Sequence, residues 1–176
     1  MELKVFLSEF KGGQTTKYAI PHRYRIAKIH QPEMADDLLS LWNRVEGKNI
    51  LKELADNVSA LEFDAFAVAP SHTEPFNRHL RNEMRERFSD KIDLSEFFQK
   101  AETFKAITIT NEMTDDELLD NIYLSESSDD MPEGIDSILL VDDIYSKGST
   151  FRAMELALQE KYSTAYIIGA VILKTT

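Results

Sequence analysis

The chain has 176 residues, a net charge of −11 and no cysteine. That length suits one domain with a sizeable core. Disulfides, thiolate metal sites and a cysteine nucleophile are excluded, and the acidic balance disfavours non-specific contact with a nucleic-acid backbone.

Hydrophobic residues make up 43% of the chain, which sets it apart from disordered sequences. The opening MELKVFLSEFKGG has no cationic segment ahead of a long apolar run, and no later stretch is long enough to span a bilayer. The expectation is a soluble cytoplasmic protein without membrane contact.

In chain order, Leu3 to Leu7 (LKVFL) reads as a short strand and Gly12-Gly13 as a turn. Tyr24 to Ile29 alternates weakly, as a second strand would. Pro32 and the acidic residues after it suit the first turn of a helix. Beyond Gly47, Ile50, Leu51, Leu54, Ala55 and Val58 fall on one helical stripe.

FDAFAVAP (Phe63 to Pro70) is a buried strand stopped by proline, followed by a polar loop and a charged helix from Phe76 to Phe88. On that helix Arg85 and Arg87 are expected to face solvent, interleaved with Glu83 and Glu86.

KIDLSEFFQKAE fits either strand or helix. AITIT (Ala106 to Thr110) fits a short strand, and TDDELLDNI begins like a capped helix. Ser125 to Asp136 is expected to be a solvated loop. The end of the chain is a strand at 137–143, a helix from about Thr150 to Tyr162 with Phe151, Met154, Ala157 and Leu158 on its core stripe, and a strand at 164–173. Repeated strand–helix–strand order predicts an α/β fold, a mostly parallel sheet of about four to five strands with helices on both faces. Residues 1–60 are expected to flank a core formed by residues 61–176.

The chemistry concentrates in ILLVDDIYSKGST (Ile138 to Thr150). Ligands of open parallel sheets bind beyond the carboxyl ends of the strands, where Asp142 and Asp143 fall, with their carboxylates expected to be partly solvated. Ser146, Lys147, Gly148, Ser149 and Thr150 then run into a helix N-terminus, whose N–H groups and dipole favour an anion. A plain cap by Ser149 or Thr150 is the simpler use of the same hydroxyls. Carboxylates repel phosphate, so the pair would face another part of the same ligand, such as sugar hydroxyls or Mg²⁺. A phosphorylated sugar satisfies both ends.

This stretch resembles the phosphoribosyl pyrophosphate (PRPP) motif of type I phosphoribosyltransferases: apolar strand, two acidic residues, two apolar residues, then a Thr/Ser/Gly phosphate loop. The resemblance implies that Asp142 and Asp143 engage the ribose hydroxyls and the Mg²⁺ that accompanies PRPP. It implies Ser146, Lys147, Gly148, Ser149 and Thr150 for the 5′-phosphate, and Ser71, His72, Arg78 and Arg81 for pyrophosphate. Lys147 departs from the Thr, Ser or Ala usual there.

From about residue 45 onward the order of segments is similar to the ComF-like branch of the family, without its zinc ribbon. The implied activity is transfer of a 5-phosphoribosyl group to a nitrogen nucleophile, such as a nucleobase, with release of pyrophosphate. The alternative is a non-catalytic PRPP or nucleotide sensor, or a ComF-like accessory protein acting through a protein partner. A homodimer is among the assemblies it allows. In the region that usually carries a cationic mobile loop, about 100–117, only Lys100 and Lys105 are basic, which favours the sensor.

Overall fold

The structure, a computed structural model, describes residues 4–9, 15–20, 45–71, 74–101, 114–145 and 148–174. The strands expected at 24–29 and 106–110 and the helix expected after Pro32 lie outside these residues. Eight strands are described: β1 (Lys4–Glu9), β2 (Thr15–Ile20), β3 (Ala65–Val68), β4 (Ile92–Asp93), β5 (Phe98–Lys100), β6 (Ile122–Leu124), β7 (Ser137–Tyr145) and β8 (Tyr166–Lys174). The α-helices among the described residues are α1 (Val45–Val58), α2 (Glu74–Arg87), α3 (Asp115–Leu119) and α4 (Ser149–Gln159).

Six strands form one sheet in the order β1-β2-β8-β7-β3-β4. All neighbours from β2 to β4 are parallel, and β1 joins antiparallel at the edge with Lys4 opposite Ile20. β5 and β6 make a separate antiparallel ribbon.

β7 shows why the sheet must be covered on both sides. Ile138 and Leu140 enter one buried cluster with Phe151, Met154, Ala157 and Leu158 of α4, Leu118 of α3, and Phe98 and Ile122 of the ribbon. Leu139 and Val141 enter a second cluster with Leu51, Leu54, Ala55 and Val58 of α1 and Leu80, Met84 and Phe88 around α2. Side chains of a strand alternate between faces, so a strand buried on both reads as an uninterrupted apolar run. The fold is therefore α/β with a mostly parallel sheet between helical layers. α1, from the stretch expected to flank the core, packs directly on the sheet.

Several local expectations are corrected. Thr15–Ile20, passed over in sequence, is a strand parallel to β8. KIDLSEFFQKAE is neither one strand nor one helix: β4, a 3-10 turn at Ser95–Phe97 and β5 follow each other. TDDELL is the capped helix α3, whose Thr114 side chain and Glu117 exchange hydrogen bonds. The helix ends early, and Ile122–Leu124 pairs with β5 instead. The Ser125 to Asp136 stretch is not simply solvated, because Met131 and Ile135 are buried in the core.

Arg85 reaches Asp93 and Glu96 rather than Glu83 or Glu86, and Arg87 pairs with Asp56 of α1. Helix-surface charges here join separate elements of the fold.

The base of the sheet is tied by Asp64. Its carboxylate accepts from the Ser137 hydroxyl at 2.8 Å, the Ser137 N–H at 2.9 Å and the Asp136 N–H at 3.1 Å. These bonds set the start of β3 beside the start of β7. The Ser137 hydroxyl above all holds the Asp64 carboxyl below its ordinary range. A depressed folded-state pKa contributes stability above the unfolded value, and the contribution is lost as pH falls through the folded one. Asp64→Ala is expected to cost about 1 kcal/mol near neutrality, given its solvent exposure. Urea melts should show the gap between variant and wild type narrowing below about pH 4.

Candidate functional site

The site is built at the carboxyl ends of β7 and β3. β7 extends to Tyr145, two residues beyond the expected end, and stays paired: Asp142 lies opposite Val171 of β8, and Ile144 opposite Leu173. Asp142 is therefore held within the ladder, and only 8% of it is exposed. This corrects the expectation of a solvated carboxylate; continued pairing keeps the residue from fraying into water. Asp143 is half-buried, and its N–H donates to Asp142 Oδ1 at 2.8 Å.

Burial foremost, then the Asp143 charge, pushes the Asp142 carboxyl well above the ordinary range, while the Lys100 ammonium pulls it back. Lys100 ends β5. Burial lowers its pKa, and both aspartates raise it.

The helix after β7 opens in a way that suits an anion. Its N-cap is Gly148 at φ 81°, a left-handed conformation, which costs a non-glycine residue about 1–2 kcal/mol. No side chain caps the helix there. The first intrahelical bond runs from Arg152 N–H to the Gly148 carbonyl at 2.8 Å. Ser149 and Thr150 occupy the first two helical positions, so neither is the N-cap that the simpler alternative required. Ser146 and Lys147 lie outside the described residues.

Beside this, a cavity of about 380 Å³ opens at the end of β3, lined in part by Pro70, Ser71, Asn77, Arg78, Arg81 and Glu96. Ser71, Arg78 and Arg81 thus share one cavity; His72 lies outside the described residues. Arg81 is strongly engaged: its Nε donates to Asp93 at 2.9 Å. Its Nη2 lies 2.7 Å from Glu96 Oε1, close enough for an ion pair although the angle is outside hydrogen-bond range.

Burial alone would raise the Asp93 pKa, but hydrogen bonds from Ser95, Arg81 and Arg85 outweigh it and hold the carboxyl below its usual range. Ser95 is buried and its hydroxyl accepts from Val68 N–H at 2.9 Å, replacing a ladder bond where the two-residue β4 ends. Asn77 donates to the Ala69 carbonyl, leaving its buried Oδ1 without a hydrogen-bond partner at the cavity wall.

Sequence reasoning missed Asn77, Asp93, Ser95 and Glu96, and it gave Lys100 no link to the acidic pair. Their grouping depends on long-range packing, and no local motif announces it.

As a metal centre the pair is incomplete by itself. Among the described residues no three His or acidic side chains could hold an ion. Two adjacent carboxylates do fit Mg²⁺ in its common mode, with few protein ligands and the remainder from water and substrate phosphate.

No family model matches the chain, and no curated protein matches its sequence. Solved structures with a similar arrangement include the Helicobacter pylori xanthine-guanine-hypoxanthine phosphoribosyltransferase, at 13% identity and TM-score 0.47 over 77% of both chains. They also include the adenine phosphoribosyltransferase from Leishmania tarentolae, at 10% identity and TM-score 0.46 over 96% of this chain and 94% of that one. At such distance the functional reading rests on the geometry of β7, Gly148 and α4.

A buried acid with a raised folded-state pKa is stabilising below the unfolded pKa, and that contribution is lost as pH rises through the folded value. Asp142→Asn should therefore raise Tm at pH 8 by a few degrees, on the order of 1 kcal/mol. Scanning calorimetry should find the gain shrinking toward pH 4. A lower Tm for the variant at pH 8 would mean that the carboxylate is a net stabiliser.

Proposed function

We propose that this chain binds a 5-phosphorylated ribose, with PRPP as its substrate, and transfers the phosphoribosyl group to a nitrogen nucleophile. The observation that carries the reading is the juxtaposition of the Asp142–Asp143 pair with the glycine-capped N-terminus of α4. Carboxylates accept from vicinal sugar hydroxyls, while a helix N-terminus favours the phosphate at the other end of the sugar.

Asp142 and Asp143 would hold Mg²⁺ together with ligand oxygens; when bound, the ion would offset negative charge between the pair and the pyrophosphate. Gly148, Ser149 and Thr150, with Ser146 and Lys147 before them, would bind the 5′-phosphate. Ser71, His72, Arg78 and Arg81 would face the departing pyrophosphate, whose growing charge needs cations. The carbon–oxygen bond to pyrophosphate breaks in an oxocarbenium-like transition state, and the incoming nitrogen bonds to the same carbon. Holding the reactants in place and compensating charge supply most of the acceleration. The finer placement within the ComF-like branch rests on segment order alone.

One observation favours a second reading. Arg81 is already committed to Asp93 and Glu96, which reduces the cation supply for pyrophosphate. A chain with the phosphate cradle but weak compensation for a leaving group would serve as a PRPP or nucleotide sensor.

Calorimetric titration with ribose 5-phosphate should show binding that weakens about tenfold or more, ~1.4 kcal/mol, in Asp142→Asn/Asp143→Asn. Pyrophosphate release from PRPP and Mg²⁺ across a nucleobase panel then separates the two readings. Release with any base supports the transferase; binding without release supports the sensor. Absence of ribose 5-phosphate binding overturns both.

A further inference from the structure

Two adjacent carboxylates, one of them buried, carry a large desolvation cost unless a cation stands near. The ammonium whose field reaches both carboxylates is that of Lys100. The β5–β6 ribbon fixes its backbone: Lys100 lies opposite Ile122, Ala101 N–H donates to the Asn121 carbonyl at 2.9 Å, and Ser125 N–H to the Phe97 carbonyl at 2.7 Å.

Phe98 and Ile122 anchor the ribbon in the cluster that also holds Ile138 and Leu140 of β7. By strand alternation, Asp142 belongs to the same face of β7 as Ile138 and Leu140. The ribbon therefore delivers the half-buried Lys100 to the side of the sheet where Asp142 sits. Its charge acts on both Asp142 and Asp143.

We propose that Lys100 is the resident counter-cation of the Asp142–Asp143 pair, standing in for a divalent ion in the free protein and weakening the pair's hold on metal while no ligand is bound. The inference rests on the reading of that pair as ligand-facing.

The chemistry of the donor set supports it. The described residues offer no third carboxylate or histidine that would build a metal cage from protein alone. A metal ion arriving alone would meet two carboxylates and one opposing ammonium. An ion arriving on a phosphorylated ligand brings its own oxygens and gives the ammonium an anion to move onto. Lysine suits such an exchange because its charge is compact and its stem flexible. Lys100 is thus a positioning residue: it weakens metal uptake ahead of ligand, and no bond to it forms or breaks.

The test uses Mn²⁺ as probe, titrated into the full chain without sugar phosphate and followed by electron paramagnetic resonance. Wild type should bind Mn²⁺ weakly. Lys100→Met and Lys100→Gln should each bind it roughly tenfold or more tightly, and Lys100→Arg should behave like wild type. The gain should vanish when Asp142→Asn and Asp143→Asn are added. Melting curves accompany each variant, and the polar Gln variant carries the comparison if the Met variant unfolds.

Mn²⁺ affinities within about twofold of wild type in the Met and Gln variants overturn the proposal. So does a gain that survives loss of both aspartates. Ribose 5-phosphate titrations are separate: a Mn²⁺ gain without sugar-phosphate binding upholds the counter-cation and sinks the phosphosugar reading, and the converse result does the opposite.

Discussion

β7 is pinned from both sides, and the rest of the structure follows from that constraint. It pairs with β8 from Ser137 to Tyr145 and with β3 from Ile138 to Val141. Its side chains alternate into two separate buried clusters. A slip of one residue would exchange the two sets and mismatch both layers. Register is therefore strongly specified, and with it the depth at which Asp142 sits. A carboxylate in that position is not an accident of a loose strand end. The surrounding apolar packing holds it there against its desolvation cost.

That cost gives the site its meaning. Residues held in unfavourable environments cluster where function requires them. The two halves of the site solve their charge problems differently. At the end of β3, Arg81 and Arg85 share Asp93 and Glu96 in a network within the fold. At the end of β7, Asp142 receives an N–H from its neighbour and the field of Lys100. The first arrangement is closed and ties α2 to β4 and the turn that follows it. The second is open to exchange, because a flexible ammonium can be replaced by ligand groups while a carboxylate fixed in a strand cannot move.

The legible part of the fold was the part with long-period signals. β3, β7 and β8 stood out as apolar runs because both of their faces are buried, and α1 and α4 as stripes because only one face of each is. The Asp142–Asp143 pair and Gly148 were legible because the site's core lies within one continuous turn of chain.

What was illegible depends on contacts between distant segments. β5 and β6 have three residues each, too few for alternation to emerge, and Ile122–Leu124 was masked by the helix signal just before it. Met131 and Ile135 are buried by the fold although their acidic neighbours read as loop. Lys100 looked like a stray cation in a poor region. Its link to Asp142 comes through the ribbon, whose Phe98 and Ile122 share a buried cluster with Ile138 and Leu140 of β7.

Electrostatics at longer range sharpen the division of labour. A chain at −11 repels a phosphorylated ligand at a distance, although salt screens that field beyond about 8–10 Å. Attraction must then come from groups that act only on close approach. The glycine-capped start of α4 is one, because the helix dipole falls off within its first turn. On the proposed reading Lys100 would be the other, its charge facing the aspartates until an anion competes for it. On the proposed reading such a site would discriminate by geometry: an anion lacking the hydroxyls that relieve Asp142 and Asp143 would gain from the helix terminus and leave the buried carboxylate uncompensated once Lys100 turned toward it. A ligand with phosphate at one end and vicinal hydroxyls at the other satisfies both demands together, and the fixed register of β7 sets the distance between them.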